Sequence, residues 1–276
     1  MPPVELGEVV RSFGIGTVIS SKSSAIPNGS LVSGLFGWQE FCKIHSSKVI
    51  PLPTIQNPTY YLGILGMTGL TAYVAMRELG QIKKKDVVVI STAAGAVGSV
   101  AVQMAKANGC KVIGITGSES KVNWLKEIGL DGVINYKTDN IANSLKQYCP
   151  EGIDVYLDNV GGETLDAVLI NCKRGARVLL CGAIQSYGKK SSQPVYNYPV
   201  AIARNIKMKG FVIIDYQDRF LESNEYLSGL LREGKIKHKE DVVVGIENAY
   251  VGLRKLLTGE NIGKMIIKVV HDQAKI

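Results

Sequence analysis

Between Lys85 and Lys121 the chain reads KDVVVISTAAGAVGSVAVQMAKANGCKVIGITGSESK, and the small residues at its centre could hold a phosphate group. At Gly95 no Cβ stands between the backbone and an approaching pyrophosphate. Gly98 lets a helix pack closely on the strand before it. The helix that follows offers free N–H groups and a partial positive charge at its first turn. Ala93 replaces the first glycine of G-x-G-x-x-G, so the loop Ala93–Gly98, with Ala94 before Gly95 and Ala96 and Val97 between Gly95 and Gly98, fits both a dinucleotide cradle and a plain tight turn. Its context favours the cradle. A β-branched run, Val87 to Ile90, precedes it. A helical pattern from Val97 to Asn108 follows, with Val100, Ala101, Met104 and Ala105 on one face, and Gly109 and a second apolar run, Val112 to Ile115, complete a βαβ unit.

Further polar residues fall where such a unit meets its ligand. The second strand ends Ile115-Thr116-Gly117-Ser118 without the carboxylate that binds a ribose 2′-hydroxyl in NAD-specific units. Gly117 and Ser118 leave room there. Lys121 either supplies charge to a 2′-phosphate or is a solvated helix lysine. Asn159 follows the apolar strand Ile153–Asp158, as a contact for the nicotinamide-side ribose or amide or as an ordinary turn asparagine beside Gly161-Gly162. Tyr187 lies just past the strand Arg177–Cys181, where a phenol either bonds a ribose hydroxyl or a developing enolate, or packs on the surface. The histidines His45, His238 and His271 are scattered and read as surface or satisfied core. The five cysteines, Cys42, Cys110, Cys149, Cys172 and Cys181, form no C-x-x-C, which argues against a disulfide framework or a structural zinc and for a reducing cytoplasm. No G-x-S-x-G and no Tyr-x-x-x-Lys occurs, so acyl hydrolysis and short-chain reductase chemistry find no support.

Several elements must position these groups. Residues 1 to about 55 look all-β: a strand within Val9–Val18, a turn at Pro27-Asn28-Gly29, short strands at Leu31–Phe36 and Trp38–Ile44, and an end at Pro51-Leu52-Pro53. Helices follow over 59–80, with Gly80 as terminator. Strands then alternate with helices: Val133–Tyr136, Ile141–Tyr148, Ile153–Asp158, Glu163–Asn171, Arg177–Cys181 and a sixth strand at Phe211–Asp215, followed by a helix over Leu221–Arg232. That alternation predicts an α/β fold with a doubly wound parallel sheet. A tail adds a strand, a helix around Ala249–Leu257 and a closing strand, Met265–Val270. The chain has 276 residues, 46% hydrophobic and 20% charged, enough for a large domain and part of another. A net charge of +8 comes from scattered lysines, with short clusters at Lys83–Lys85 and Lys189-Lys190. No basic run suits nucleic acid, and no apolar run suits a membrane span.

These motifs come in one order: GMTGLTAY at Gly66–Tyr73, AAGAVGS at Ala93–Ser99, GSESK at Gly117–Lys121, NYK at Asn135–Lys137, DNVGG at Asp158–Gly162, CGAIQSY at Cys181–Tyr187 and ENIGK at Glu260–Lys264. The chain resembles the zinc-independent medium-chain dehydrogenase/reductase superfamily, and within it the group of prostaglandin reductases, leukotriene B4 12-hydroxydehydrogenases and alkenal double-bond reductases. The G-H-E signature of the zinc alcohol dehydrogenases is absent. The resemblance implies a Rossmann sheet over 63–240 that binds NADP(H), and a partial GroES-like barrel over 1–62 completed by 241–276, with more of that barrel ahead of residue 1 in the family. It implies that Lys121 and Tyr136 contact the 2′-phosphate, with the Ala94–Gly98 loop, Asn159, Cys181, Gly182, Ala183, Ile184 and Asn261 on the cofactor. Phe211, Val212 and Ile213 would lie beside the nicotinamide carboxamide, although alone they read as a buried strand. Tyr187 would be the catalytic tyrosine, and Met67, alone a core methionine, would line the substrate pocket with it. The implied reaction is NADPH-dependent reduction of the C=C bond of an enone or alkenal, with quinone reduction, or a non-catalytic NADP-binding module, as alternatives. The implied assembly is a homodimer joined through sheet edges near Phe211–Asp215.

Overall fold

The computed structural model describes residues 4–187, 191 and 193–269; the Lys189-Lys190 cluster, His271 and Val270 lie outside the described residues. The chain opens with a three-stranded antiparallel sheet, β1 (Phe13–Thr17), β2 (Leu31–Leu35) and β3 (Val49–Pro51). The third strand is not at Trp38–Ile44. That stretch forms no ladder and leaves Phe41 exposed, whereas Val49 pairs with Gly34 and Pro51 with Val32. A proline is tolerated there because the strand is at an edge.

Next comes α1 (Met67–Tyr73), extended by one wider turn over Val74–Leu79. Gly80 ends it in right-handed conformation, φ −73°, and the left-handed residue is Gln81. Gly80 is needed for closeness: a Cβ there would lie 2.6 Å from the carbonyl oxygen of Ala75.

The alternating elements follow, all but α6 and β9 among those expected: β4 (Val87–Ser91), α2 (Ala96–Ala107), β5 (Lys111–Thr116), α3 (Glu119–Glu127), β6 (Gly132–Asn135), α4 (Ile141–Tyr148), β7 (Ile153–Asp158), α5 (Gly162–Leu169), β8 (Cys172–Leu180), α6 (Tyr198–Ala203), β9 (Lys207–Gly210) and α7 (Phe220–Arg232). The six strands form one parallel sheet in the order β6-β5-β4-β7-β8-β9. This is the Rossmann order, and it reverses between β4 and β7. Both faces are covered, so the central strands read as unbroken apolar runs. Val88 and Ile90 face a core with Val100, Met104 and Leu227, and Val89 faces a second core with Ile113, Tyr156 and Leu169.

The sixth strand is Lys207–Gly210, and not Phe211–Asp215. Pairing with β8 stops at Leu180 and Gly210, where β8 itself ends. Beyond it Phe211 and Ile213 pack on the core while Val212 and Ile214 face outward, an alternation that imitates a strand before a 3-10 turn at Ile213–Arg219. The tail forms β10 (Glu240–Val244), α8 (Ala249–Thr258) and β11 (Lys264–Lys268), with β10 and β11 parallel.

His238 is core but not satisfied. Its side chain is 3% exposed and its Nε2 lies 3.1 Å from Glu240 Oε1, yet neither ring nitrogen makes a well-aligned hydrogen bond. The ring packs edge-on against Tyr60 and fills the space over Gly63. Burial lowers its pKa below the ordinary 6.5, a drop Lys264 assists and Glu240 opposes. The unfolded chain therefore takes up this proton more readily, so this contribution to stability is complete above pH 6.5 and lost as pH falls through it towards the folded value. The melting temperature is expected to drop between about pH 7.5 and about pH 5.5, and His238→Gln to shrink that drop. Calorimetry of both proteins checks this.

Candidate active site

The glycine turn before α2 is present. Helix α2 begins at Gly95 with no side chain capping it and no acidic residue in its first turn, so its N-terminal field is uncompensated. A Cβ at Gly98 would run into the Thr92 carbonyl oxygen and stand 2.9 Å from Ala93 Cα, and one at Gly95 would stand 2.9 Å from Thr92 Cγ2. Thr92 has φ +51°, unusual for a β-branched residue, and its carbonyl accepts the Gly95 N–H at 2.8 Å. Sequence reading passed over this strained residue, which nothing but its place before the glycine loop marks out. Asn261 is buried and donates from Nδ2 to the Gly263 carbonyl at 2.9 Å; Gly263 N–H donates to Ala94 O at 2.7 Å. The ENIGK turn thus lies directly on the loop.

Where the strand order reverses, the ends of β4 and β7 are tied by a polar knot. Asn159 donates from Nδ2 to Ser91 O (2.7 Å), and its N–H donates to Ser91 Oγ (2.9 Å). Asp158, buried, accepts at Oδ1 from the Tyr156 hydroxyl (2.8 Å) and from the N–H groups of Val160 and Gly161 (3.0 Å each). Burial raises its pKa, and the Gly161 and Val160 N–H groups, with Tyr156 and Ser91, restrain the rise. Asp158 and Ser91 were missed as organising residues; the signal was a carboxylate ending an apolar strand. Asn159 spends one of its two amide N–H donors on the fold, which leaves its second N–H and its Oδ1 for a ligand.

The CGAIQSY segment continues this edge. Cys181 and Gly182 donate their N–H groups to Asp158 O (2.8 and 3.1 Å), and Ile184 donates to Asn159 O (3.2 Å). Burial pushes the Cys181 thiol up to about 11, with the Asp158 charge adding to it, which makes it a packing group and not a nucleophile. Tyr187 is 58% exposed, and its hydroxyl lies 3.4 Å from Ala183 N, which donates to it. Phe211 and Ile213 pack on the same apolar cluster as Ala94 and Cys181. Met67 opens α1 and is 41% exposed, which removes the core reading of it.

The tips of β5 and β6 form a second corner. Tyr136 is half-exposed and its ring stands over Gly117, where a Cβ would lie 2.5 to 2.7 Å from it. Lys121 is not a solvated lysine. It is 6% exposed and donates from Nζ to Gly259 O at 2.6 Å. Burial lowers its pKa and the neighbouring Lys137 adds to this, against a smaller upward pull from Asp241. Among the described residues, no three His, Cys, Asp or Glu side chains gather as a metal site.

A doubly wound sheet, a glycine turn at its switch point and a carboxylate-free second strand are the marks of a dinucleotide-binding domain. Comparison with known proteins agrees. Residues 96–228 match the family described as zinc-binding dehydrogenase, and residues 1–52 match the N-terminal domain of oxidoreductase. A 2-alkenal reductase (NADP(+)-dependent) of Nicotiana tabacum is 39% identical over 96% of this chain and 79% of its own length. Prostaglandin reductase 1 of Bos taurus is 37% identical over 95% of this chain and 82% of its own. The crystal structure of CurA from Vibrio vulnificus in complex with NADPH superposes with a TM-score of 0.92 at 36% identity, covering 98% of this chain and 83% of that one. The chain belongs to the medium-chain dehydrogenase/reductase superfamily, in its alkenal and prostaglandin reductase group, and is an NADP-dependent oxidoreductase.

Gly98 should not tolerate a side chain. Gly98→Ala is expected to lower stability by about 1–3 kcal/mol, because the obstacle is backbone and cannot move aside. Denaturant unfolding and NADPH titration, read together, check both the loss of stability and the loss of the cradle.

Proposed function

We propose that this chain reduces the C=C bond of α,β-unsaturated ketones or aldehydes with NADPH. The observation that supports the cofactor half is the tight glycine turn before α2: a Cβ at Gly95 or Gly98 would collide with Thr92 or Ala93, so only glycines let α2 pack this closely, and its N-terminus is uncapped. In this reading Ala94–Gly98 and Asn261 hold the pyrophosphate. Lys121 and Tyr136 meet the 2′-phosphate. Asn159 and the Cys181–Ile184 backbone meet the nicotinamide half, with Phe211–Ile213 beside the carboxamide. NADPH, when bound, supplies a hydride to the β-carbon of the substrate. The C=C electron pair then gathers on the carbonyl oxygen as an enolate. The Tyr187 phenol, on an exposed loop at the sheet edge, donates a hydrogen bond to that oxygen, and the α-carbon takes its proton from Tyr187 or solvent. Met67 shares the substrate side with Tyr187. Residues 63–240 then form the NADP-binding domain, and 1–62 with 241–276 the barrel domain that covers the nicotinamide.

The test is NADPH oxidation with a 2-alkenal, with a quinone and with NADH as comparisons. The alkenal with NADPH is expected to turn over fastest, and Tyr187→Phe to lower kcat about tenfold or more. NADPH binding without turnover of any enone sinks the assignment. The cytoplasm is the proposed compartment; among the described residues no helix is long and apolar enough to cross a membrane.

The proposed assembly is a homodimer. Its support is the open edge of the six-stranded sheet at β9, flanked by Val212 and Ile214 at 60% and 61% exposure. Sedimentation should give twice the chain mass, and Val212→Glu with Ile214→Glu should return a folded monomer. A wild-type monomer at micromolar concentration contradicts this.

A further inference from the structure

Two lysines, not one, stand at the tips of β5 and β6. Tyr136 N–H donates to Thr116 O at 2.9 Å, and Thr116 pairs with Asn135, so the turn after β6 sits beside Gly117. That turn is fixed by its own polar groups. Asn135 Oδ1 accepts the Lys137 N–H at 3.2 Å. Asp139 accepts the Asn135 N–H at Oδ2 (2.8 Å) and the Thr138 hydroxyl at Oδ1 (3.0 Å). The nearest carboxylate in sequence is thus occupied by the turn, and among the described residues no carboxylate pairs with Lys137. Lys137 is exposed, while Lys121, close enough to feel its charge, is buried and already bonded to Gly259 O.

Gathering like charges costs energy in the free protein, which the smaller pull of Asp241 on Lys121 offsets only in part, and a dianion recovers it. A phosphate monoester carries about two negative charges at neutral pH, more than one ammonium can balance. The Tyr136 hydroxyl, standing over Gly117, gives the pocket a wall and a neutral donor.

We propose that Lys137 is a specificity-determining residue that shares the cofactor's 2′-phosphate with Lys121 across the Tyr136 ring. This rests on the reading that the corner at Gly117, Lys121 and Tyr136 receives that phosphate. Lys121 supplies the buried, fixed charge. Lys137 closes from solvent as the second charge, so its share is the more salt-sensitive of the two.

The test is calorimetric titration of NADPH, NADH, 2′-AMP and 5′-AMP into wild-type protein and into the Lys137→Ala, Lys137→Arg and Lys121→Ala variants, at two salt concentrations. For Lys137→Ala, NADPH and 2′-AMP should bind about tenfold more weakly, with NADH and 5′-AMP within about twofold and a shallower salt dependence. Lys137→Arg should restore most of the affinity. If Lys137→Ala binds 2′-AMP as wild type does while Lys121→Ala loses its preference for it, Lys137 has no such role and the corner stands. If Lys137→Ala weakens NADPH and NADH equally, the role is not 2′-specific and the proposal falls. If Lys121→Ala also keeps the preference for 2′-AMP, the assignment of the corner itself is wrong.

Discussion

The buried carboxylate of Asp158 is the constraint on which the site depends. It ends β7, the strand beside which the sheet reverses direction. An uncompensated charge there would cost several kcal/mol. The hydroxyl of Tyr156 and the N–H groups of Val160 and Gly161 offset that cost. In doing so they dictate the path of the chain as it leaves the strand. Gly161, at φ +77°, gives the turn a conformation that a side chain would resist. The backbone carbonyl of the same aspartate takes the N–H groups of Cys181 and Gly182, so the exit of β8 is set by the exit of β7. Asn159 and Ser91 carry the tie across to β4, next to the glycine loop. One residue thus coordinates three of the strand ends at the edge proposed to receive the nicotinamide half of the cofactor.

The region proposed for the adenosine half is built by a different device. Here the fold approaches closely and leaves gaps. Gly98 lets α2 settle on Thr92 and Ala93, Gly117 makes room for the Tyr136 ring, and the Asn261–Gly263 turn presses on Ala94. At the corner proposed for the ribose phosphate the charge comes from Lys121, which is buried, and Lys137, which is exposed. On the proposed reading the nicotinamide edge is specified by hydrogen bonds, the pyrophosphate by shape and helix field, and the ribose phosphate by ammonium groups. Each mechanism suits the chemistry it meets: a neutral amide, a diphosphate approached by backbone, and a dianion in water.

Much of the alternating sheet was legible because parallel strands buried on both faces are continuous apolar runs, and Val87–Ser91, Lys111–Thr116 and Ile153–Asp158 are such runs. Legibility failed at edges. Lys207–Gly210 is a strand with every residue exposed, so no burial pattern marks it, while Phe211–Ile214 alternates without a partner to pair with. Val49–Pro51 was hidden by its proline. At the site, glycine and loop positions were readable from their chemistry. The partners of side chains were not: that Lys121 is buried on Gly259, some 138 residues away in sequence, or that Ser91 meets Asn159 across 68, is tertiary information that no local spacing encodes.

The central claim is hydride delivery to carbon in an enone, and isotope transfer tests it most directly. NADPH carrying deuterium at both C4 positions of the nicotinamide is incubated with the protein and a 2-alkenal, and the product is examined by mass spectrometry and NMR. The account predicts a saturated aldehyde with deuterium on the β-carbon. An allylic alcohol with deuterium on the carbonyl carbon would contradict it, as would an unlabelled saturated product.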